Sequence, residues 1–169
     1  SRNIGNRLDR LVEDIYRTSG SEFNINSTQQ LAVILFDELK LKQIKKRSTA
    51  ENILKELAND HELPELILEY RKLNKLKNTY VDSLPASINK ETSRIHSTFN
   101  QTIASTGRLS STGPNFQNIP IRTEEGREIR KSFIAQKNNW KILSADYSQI
   151  ELRIMAHLSQ DTELLDAFN

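Results

Sequence analysis

Two carboxylates near the end of the chain carry the clearest chemical signal. In "WKILSADYSQIELRIMAHL" an apolar, strand-like run leads into Asp146-Tyr147, and Glu151 follows at the head of a helix-like stretch. A carboxylate at the end of a buried strand is costly unless solvent, a partner or a metal compensates it. Asp146 therefore reads either as a ligand for a cation or as an exposed, turn-forming aspartate, and spacing alone leaves both open. Glu151 also has two readings: Ser148-x-x-Glu151 is a capping box, so this side chain closes a helix N-terminus whether or not it does chemistry.

Polar and basic residues form a second group. Arg108 in "TGRLSS" precedes Asn115, Gln117, Asn118 and Arg122 in "PNFQNIPIR", which sets donor-only guanidinium groups beside neutral amides. Such a set either meets a polar ligand or satisfies its own loop. Lys40, Lys42, Lys45, Lys46 and Arg47 stand together without an acid among them, and Arg71, Lys72, Lys75 and Lys77 follow further along. These runs are either a polyanion-facing surface or a solvated face.

The elements that must position these groups change character near residue 85. Before it, Leu8, Leu11, Val12 and Ile15 recur at helical spacing, Gly20 interrupts, and Ser27 with Gln30 forms a capping box for a second helix. Ser48 to Glu51 repeats the box pattern for a third helix ending near Asn59-Asp60. A fourth runs from about Glu62 to Ser83, and Leu84-Pro85 stops it. After it, Ser, Thr, Asn and Gln mix with β-branched residues. Alternation predicts a strand over Arg94–Phe99, further strands at Ser132–Ala135 and Lys141–Asp146, and helices at about 124–130, 149–158 and 162–168. The fold class is α+β: a helical hairpin over 1–85 and a mixed portion with a few antiparallel strands over 86–169.

Composition narrows the classes. At 169 residues and 36% hydrophobic the chain holds one modest core or two small ones, and it has no cysteine for disulfides or thiolate metal sites. No apolar run is long enough for a membrane span or a secretory segment, so the expected setting is soluble and cytoplasmic, with no membrane partner. The net charge of +2 does not by itself announce a polyanion partner.

"DYSQIELRIMAHLS" resembles motif A of the A-family DNA polymerases, the bacterial DNA polymerase I group. "TGRLSSTGPNFQNIPIRTEEGREIRKSFIA" is similar to that family's palm just upstream, and "FNINSTQQLAVILFDELKL" and "ELPELILEYRKLNKLKNTYVDSLP" are similar to its thumb. The resemblance covers essentially the whole chain in the family's own order. It implies a helical thumb over 1–85, the N-terminal part of a palm over 86–169, and a parent enzyme that transfers nucleotides from dNTP to a primer 3′-hydroxyl by a two-metal mechanism.

Carried over residue by residue, the resemblance makes Asp146 a bridging Mg²⁺ ligand and the carbonyl of Tyr147 a further one, with Tyr147, Ser148, Gln149, Ile150 and Glu151 beside the incoming nucleotide. Glu151 takes the position that crowds a ribose 2′-hydroxyl. Arg108 takes a place in the minor groove at the primer terminus, where every base pair offers acceptors and a guanidinium tests geometry without reading sequence. Asn115, Gln117 and Asn118 lie nearby, and Arg122 reaches phosphate. Lys77, Asn78 and Thr79 resemble the thumb segment that grips the duplex backbone, and Lys45 and Lys46 belong at the thumb tip.

Three departures stand out. The tip passes from Lys46-Arg47 almost directly into Ser48-Thr49 and is shorter than in many members, Gly113 stands where an acid is common, and Phe116 replaces a usual Leu. The fingers helix and the later palm motif with a second catalytic Asp are not in these 169 residues, nor is a preceding exonuclease domain. The expectation is therefore a fragment of a longer, nucleoid-associated polymerase, inactive alone, at most binding primer–template duplex, and dimerising through exposed palm surface. Two alternatives remain: a single-subunit RNA polymerase, which Glu151 argues against, and an interaction module that has lost polymerisation.

Overall fold

The computed structural model describes residues 2–168. Packing separates it into two compact units, Ser1–Arg130 and Lys131–Asn169.

In the first unit, helix α1 (Arg2–Ser19) buries Leu8, Leu11 and Ile15 and ends where Gly20, at φ 75°, donates its N–H to Tyr16 O at 3.0 Å. That left-handed geometry suits glycine. Helix α2 (Thr28–Val33) starts as its capping box requires at one end: Ser27 Oγ accepts from Gln30 N at 3.3 Å. The Gln30 side chain accepts from Asn24 N at 2.7 Å instead of closing back on Ser27. A π-helical turn, Ile34–Glu38, continues it and carries buried Ile34, Leu35 and Phe36.

Helix α3 (Glu51–Leu57) and helix α4 (Leu63–Leu76) complete the core with Ile53, Leu54, Leu57, Leu63, Ile67 and Leu73, and α4 packs on both α1 and α3. The box expected at Ser48 is not the helix cap. The N-cap is Ala50, and Ser48 Oγ accepts from Ala50 N at 3.3 Å, folding the approach into a turn, so Glu51 opens the helix and pairs with Lys55 at 2.6 Å. The single helix expected over 62–83 is three pieces: α4, a second π-helical turn Lys77–Val81, and α5 (Ser83–Ala86). Pro85 lies inside α5, not beyond a helix end. In a first turn its missing N–H costs no intrahelical bond.

Two short antiparallel hairpins follow. β1 (Ile88–Asn89) pairs with β2 (Arg94–Ile95), and β3 (Thr98–Asn100) pairs with β4 (Ser110–Thr112), placing Phe99 opposite Ser111. The one strand expected over Arg94–Phe99 is broken at His96-Ser97. Ser97 turns its hydroxyl to Pro114 O at 2.7 Å and Ser111 Oγ at 2.8 Å, which takes the chain out of one ladder and into the next. Helix α6 (Glu124–Lys131) closes this part.

In the second unit the strands expected at Ser132–Ala135 and Lys141–Asp146 are not formed. A strand exists only through its neighbour, and among the described residues the two ladders are β1–β2 and β3–β4, which these segments do not join. Leu143 is accordingly 90% exposed. Helix α7 (Ile150–Ser159) packs on helix α8 (Thr162–Phe168), with Arg153 stacked 4.7 Å from the Phe168 ring. Among the described residues no helix is long and apolar enough to cross a membrane.

Candidate nucleic-acid interface and acidic motif

The π-helical turn after α4 sets the thumb-like residues apart from one another. Lys77 Nζ is ion-paired with Asp82, Asn78 Nδ2 donates to Asn74 Oδ1 at 3.1 Å, and Thr79 is exposed beside buried Tyr80. Such turns widen a helix locally and often stand at functional positions. Tyr80 reaches across to donate its hydroxyl to Asn118 O, and burial raises its phenol pKa.

That bond joins the turn to the polar segment 114–123. Asn115 Oδ1 accepts from Gln117 N at 2.9 Å, and Gln117 Nε2 donates to Leu109 O at 2.8 Å, next to Arg108. Asn115, Gln117, Asn118 and Arg122 are all exposed. A groove of about 960 Å³ runs between α4 and this segment, and its lining brings Thr79, Asn115 and Asn118 together with Arg71, Lys72 and Lys75 and with the acids Glu51, Glu65 and Glu69. Arg71 is half-buried, which lowers its pKa, and donates to Thr49 O at 2.6 Å. Lys77, Asn78, Arg108, Gln117 and Arg122 do not line this groove. Lys45 and Lys46 lie exposed in a separate turn, where Arg47 is held away from the run by a two-pronged pair with Asp37 at 2.5 and 2.6 Å.

Asp146 and Tyr147 sit in the second unit, in an exposed segment without strand pairing, Tyr147 at 80% exposure. Asp146 is exposed, so water solvates its carboxylate and burial demands no compensating cation there. Ser148 is not the N-cap of the helix. Gln149, at φ 55°, is the N-cap of α7 with no side-chain bond to the helix, and Ser148 instead offers its carbonyl to Arg153 Nε at 3.0 Å. Ile150 and Glu151 form the start of the first turn, one helical residue behind the other.

Sequence comparison extends over the same residues. The family model described as DNA polymerase family A matches residues 1–169. The chain belongs to DNA polymerase family A. It is similar to DNA polymerase I of Pseudomonas aeruginosa, 53% identical over 99% of this chain and 19% of that protein, and to the thermostable DNA polymerase I of Thermus filiformis, 50% identical over 95% of this chain and 20% of that protein. This family A chain thus spans about a fifth of the length of the curated relatives it matches. Among solved structures it is similar to the polymerase domain of Pol1 from M. smegmatis in complex with DNA primer-template and dNTP, with a TM-score of 0.92 and 45% identity over 99% of this chain and 30% of that one.

In this family A chain, several residues that hold the interface had no sequence signal as such. Tyr80 fell in helical register with core positions, so its hydroxyl bond to the loop was invisible. Gly126 packs so tightly on Pro120 that an added Cβ would lie 2.5 Å from the Pro120 carbonyl oxygen, a fit that only coordinates reveal. Tyr80→Phe leaves the Asn118 carbonyl without its donor and is expected to cost about 1 kcal/mol, lowering Tm by roughly 2–4 °C. Thermal unfolding followed by circular dichroism checks this, and an unchanged Tm would mean that water replaces the phenol.

Proposed function

We propose that these 169 residues form the helical thumb, 1–85, and the N-terminal part of the palm, 86–169, of a template-directed DNA polymerase that extends a primer with dNTP. The observation that carries this reading is the groove that brings Thr79, Asn115 and Asn118 together with Arg71, Lys72 and Lys75 of α4, its lining holding both basic groups and the acids Glu51, Glu65 and Glu69, in a chain of family A. Thr79 and Asn78, with Lys77, face the duplex backbone, and Arg108, Gln117 and Arg122 extend the same polar surface toward the primer end. Lys45 and Lys46 add charge at the tip. Contacts of this kind hold register without reading sequence.

Among the described residues no group of three or more His, Asp or Glu gathers as a metal site. Asp146 and the Tyr147 carbonyl nonetheless offer hard oxygens in an accessible segment, which suit Mg²⁺ as two of its ligands. When bound, Mg²⁺ activates the primer hydroxyl and neutralises the departing pyrophosphate. Residues 147–151 line the nucleotide, and the Glu151 side chain fills the space beside the sugar 2′ position. The exposed Ile142, Leu143 and Leu158 support self-association of the isolated chain.

The test is a salt titration of primer–template binding. Affinity is expected to fall steeply with salt, without sequence preference, because phosphate contacts release counterions. Lys77→Ala is expected to lower the slope by up to about one unit, less to the extent that Asp82 competes for the ammonium group. Equal affinity at low and high salt would overturn a DNA-facing thumb.

A further inference from the structure

We infer that Glu125, gripped by Arg7 and Lys72, is an ionic clamp that holds the polar segment 114–123 against the helical half, making these three positioning residues for duplex binding. The inference rests on the functional reading above for its DNA consequence, and on geometry alone for the clamp.

One carboxylate reaches two helices. Arg7 NH1 of α1 donates to Glu125 Oε1 at 3.2 Å, and Lys72 Nζ of α4 lies 3.5 Å from Glu125 Oε2. The second prong of Arg7 donates to Glu69 Oε1 of α4, also at 3.2 Å, so the fork spans acids of both α4 and α6. Two cations and two carboxylates thus balance. The Glu125 side chain is only 18% exposed while its cations are 43% and 48% exposed, which puts the shared acid at the sheltered centre of the network. Isolated surface pairs contribute little, but a shared and partly buried acid is the geometry in which they do. The Glu125 carboxyl is held below the ordinary glutamate range, first by its own backbone N–H and then by Lys72 and Arg7 against the opposing effect of burial.

The clamp acts on the loop because α6 begins where the loop ends. Thr123 Oγ1 accepts from Gly126 N at 3.1 Å, and Gly126 is seated directly on Pro120 with no room for a Cβ. Fixing Glu125 therefore fixes Pro120, while Tyr80 fixes Asn118 from the other side. Asn118 is itself one of the tied residues, and Asn115 stands shortly before it in the same segment. The ties are long-range in sequence: Glu125 and Arg7 are 118 residues apart, so local structure cannot substitute for them.

Amide hydrogen exchange of the 169-residue chain tests the clamp without DNA, and primer–template affinity tests its role. Glu125→Gln is expected to speed exchange at residues 115–122 roughly fivefold, with α3 unchanged, and to weaken duplex binding. Arg7→Met added to Glu125→Gln should do little more, because the clamp is already open. Unchanged exchange, or additive effects of the two substitutions, would overturn the clamp. A wild type that binds duplex and a Glu125→Gln variant that binds equally well would overturn its role in positioning, whereas a wild type that binds no duplex overturns the functional reading on which that role depends. Should Glu125→Gln lose its helices, the double variant Arg7→Met/Lys72→Met, which removes both cations and keeps Glu125, carries the same exchange comparison.

Discussion

Asp146→Ala is expected to reduce nucleotide incorporation by roughly 10³-fold or more in a polymerase of the relatives' length that carries this chain, for every dNTP alike. The proposal gives Asp146 the one carboxylate in motif A that faces the divalent ions, and phosphoryl transfer depends on positioning and charge more than on a protein nucleophile. The structure sharpens the test. Asp146 lies exposed, in a segment outside any helix or sheet, so removing it costs the fold almost nothing, within about 0.5 kcal/mol. Loss of activity with an unchanged Tm and unchanged primer–template affinity is the expected pattern, read from single-nucleotide incorporation on one template. Incorporation at near wild-type rates would show that this carboxylate is a turn residue.

Much of the helical half was legible because its signals are local. Leu8, Leu11 and Ile15 at helical spacing mark the buried face of α1, and Ser27 with Gln30 marks the start of α2. Capping boxes proved less decisive where the helix began elsewhere: Ser48 Oγ accepts from Ala50 N ahead of the N-cap, and at α7 the N-cap is Gln149, in the left-handed region, not Ser148. Sheet was harder still. Alternation at Arg94–Phe99 could not show that Ser97 would leave the ladder for Pro114 O, and the apolar run before Asp146 could not show which strand, if any, would pair with it. The candidate interface divides in the same way. Its residue types were readable, but which of them share a groove depends on Tyr80, Glu125 and Gly126, whose partners lie as far as 118 residues away.

The position of the N-cap changes what Glu151→Ala should do. If Ser148 and Glu151 capped α7 reciprocally, the substitution would cost about 1 kcal/mol of helix stability. With Gln149 as N-cap, Glu151 instead contributes as an acid in the first turn, favourable to the helix dipole by roughly 0.3–1 kcal/mol, so only a small drop in Tm is expected. Its proposed work is exclusion: the side chain fills the space that a ribose 2′-hydroxyl needs, and alanine opens it. The ratio of kcat/KM for ribonucleotide over deoxyribonucleotide should then rise on the order of tenfold or more, while deoxyribonucleotide incorporation stays active because Asp146 and the Tyr147 carbonyl are untouched. Glu151→Gln, of nearly the same volume, should keep most of the discrimination, which separates steric exclusion from charge. Measuring both nucleotides with both variants on one template decides it, and a ratio unchanged in Glu151→Ala would leave Glu151 as a first-turn acid with no part in choosing the sugar.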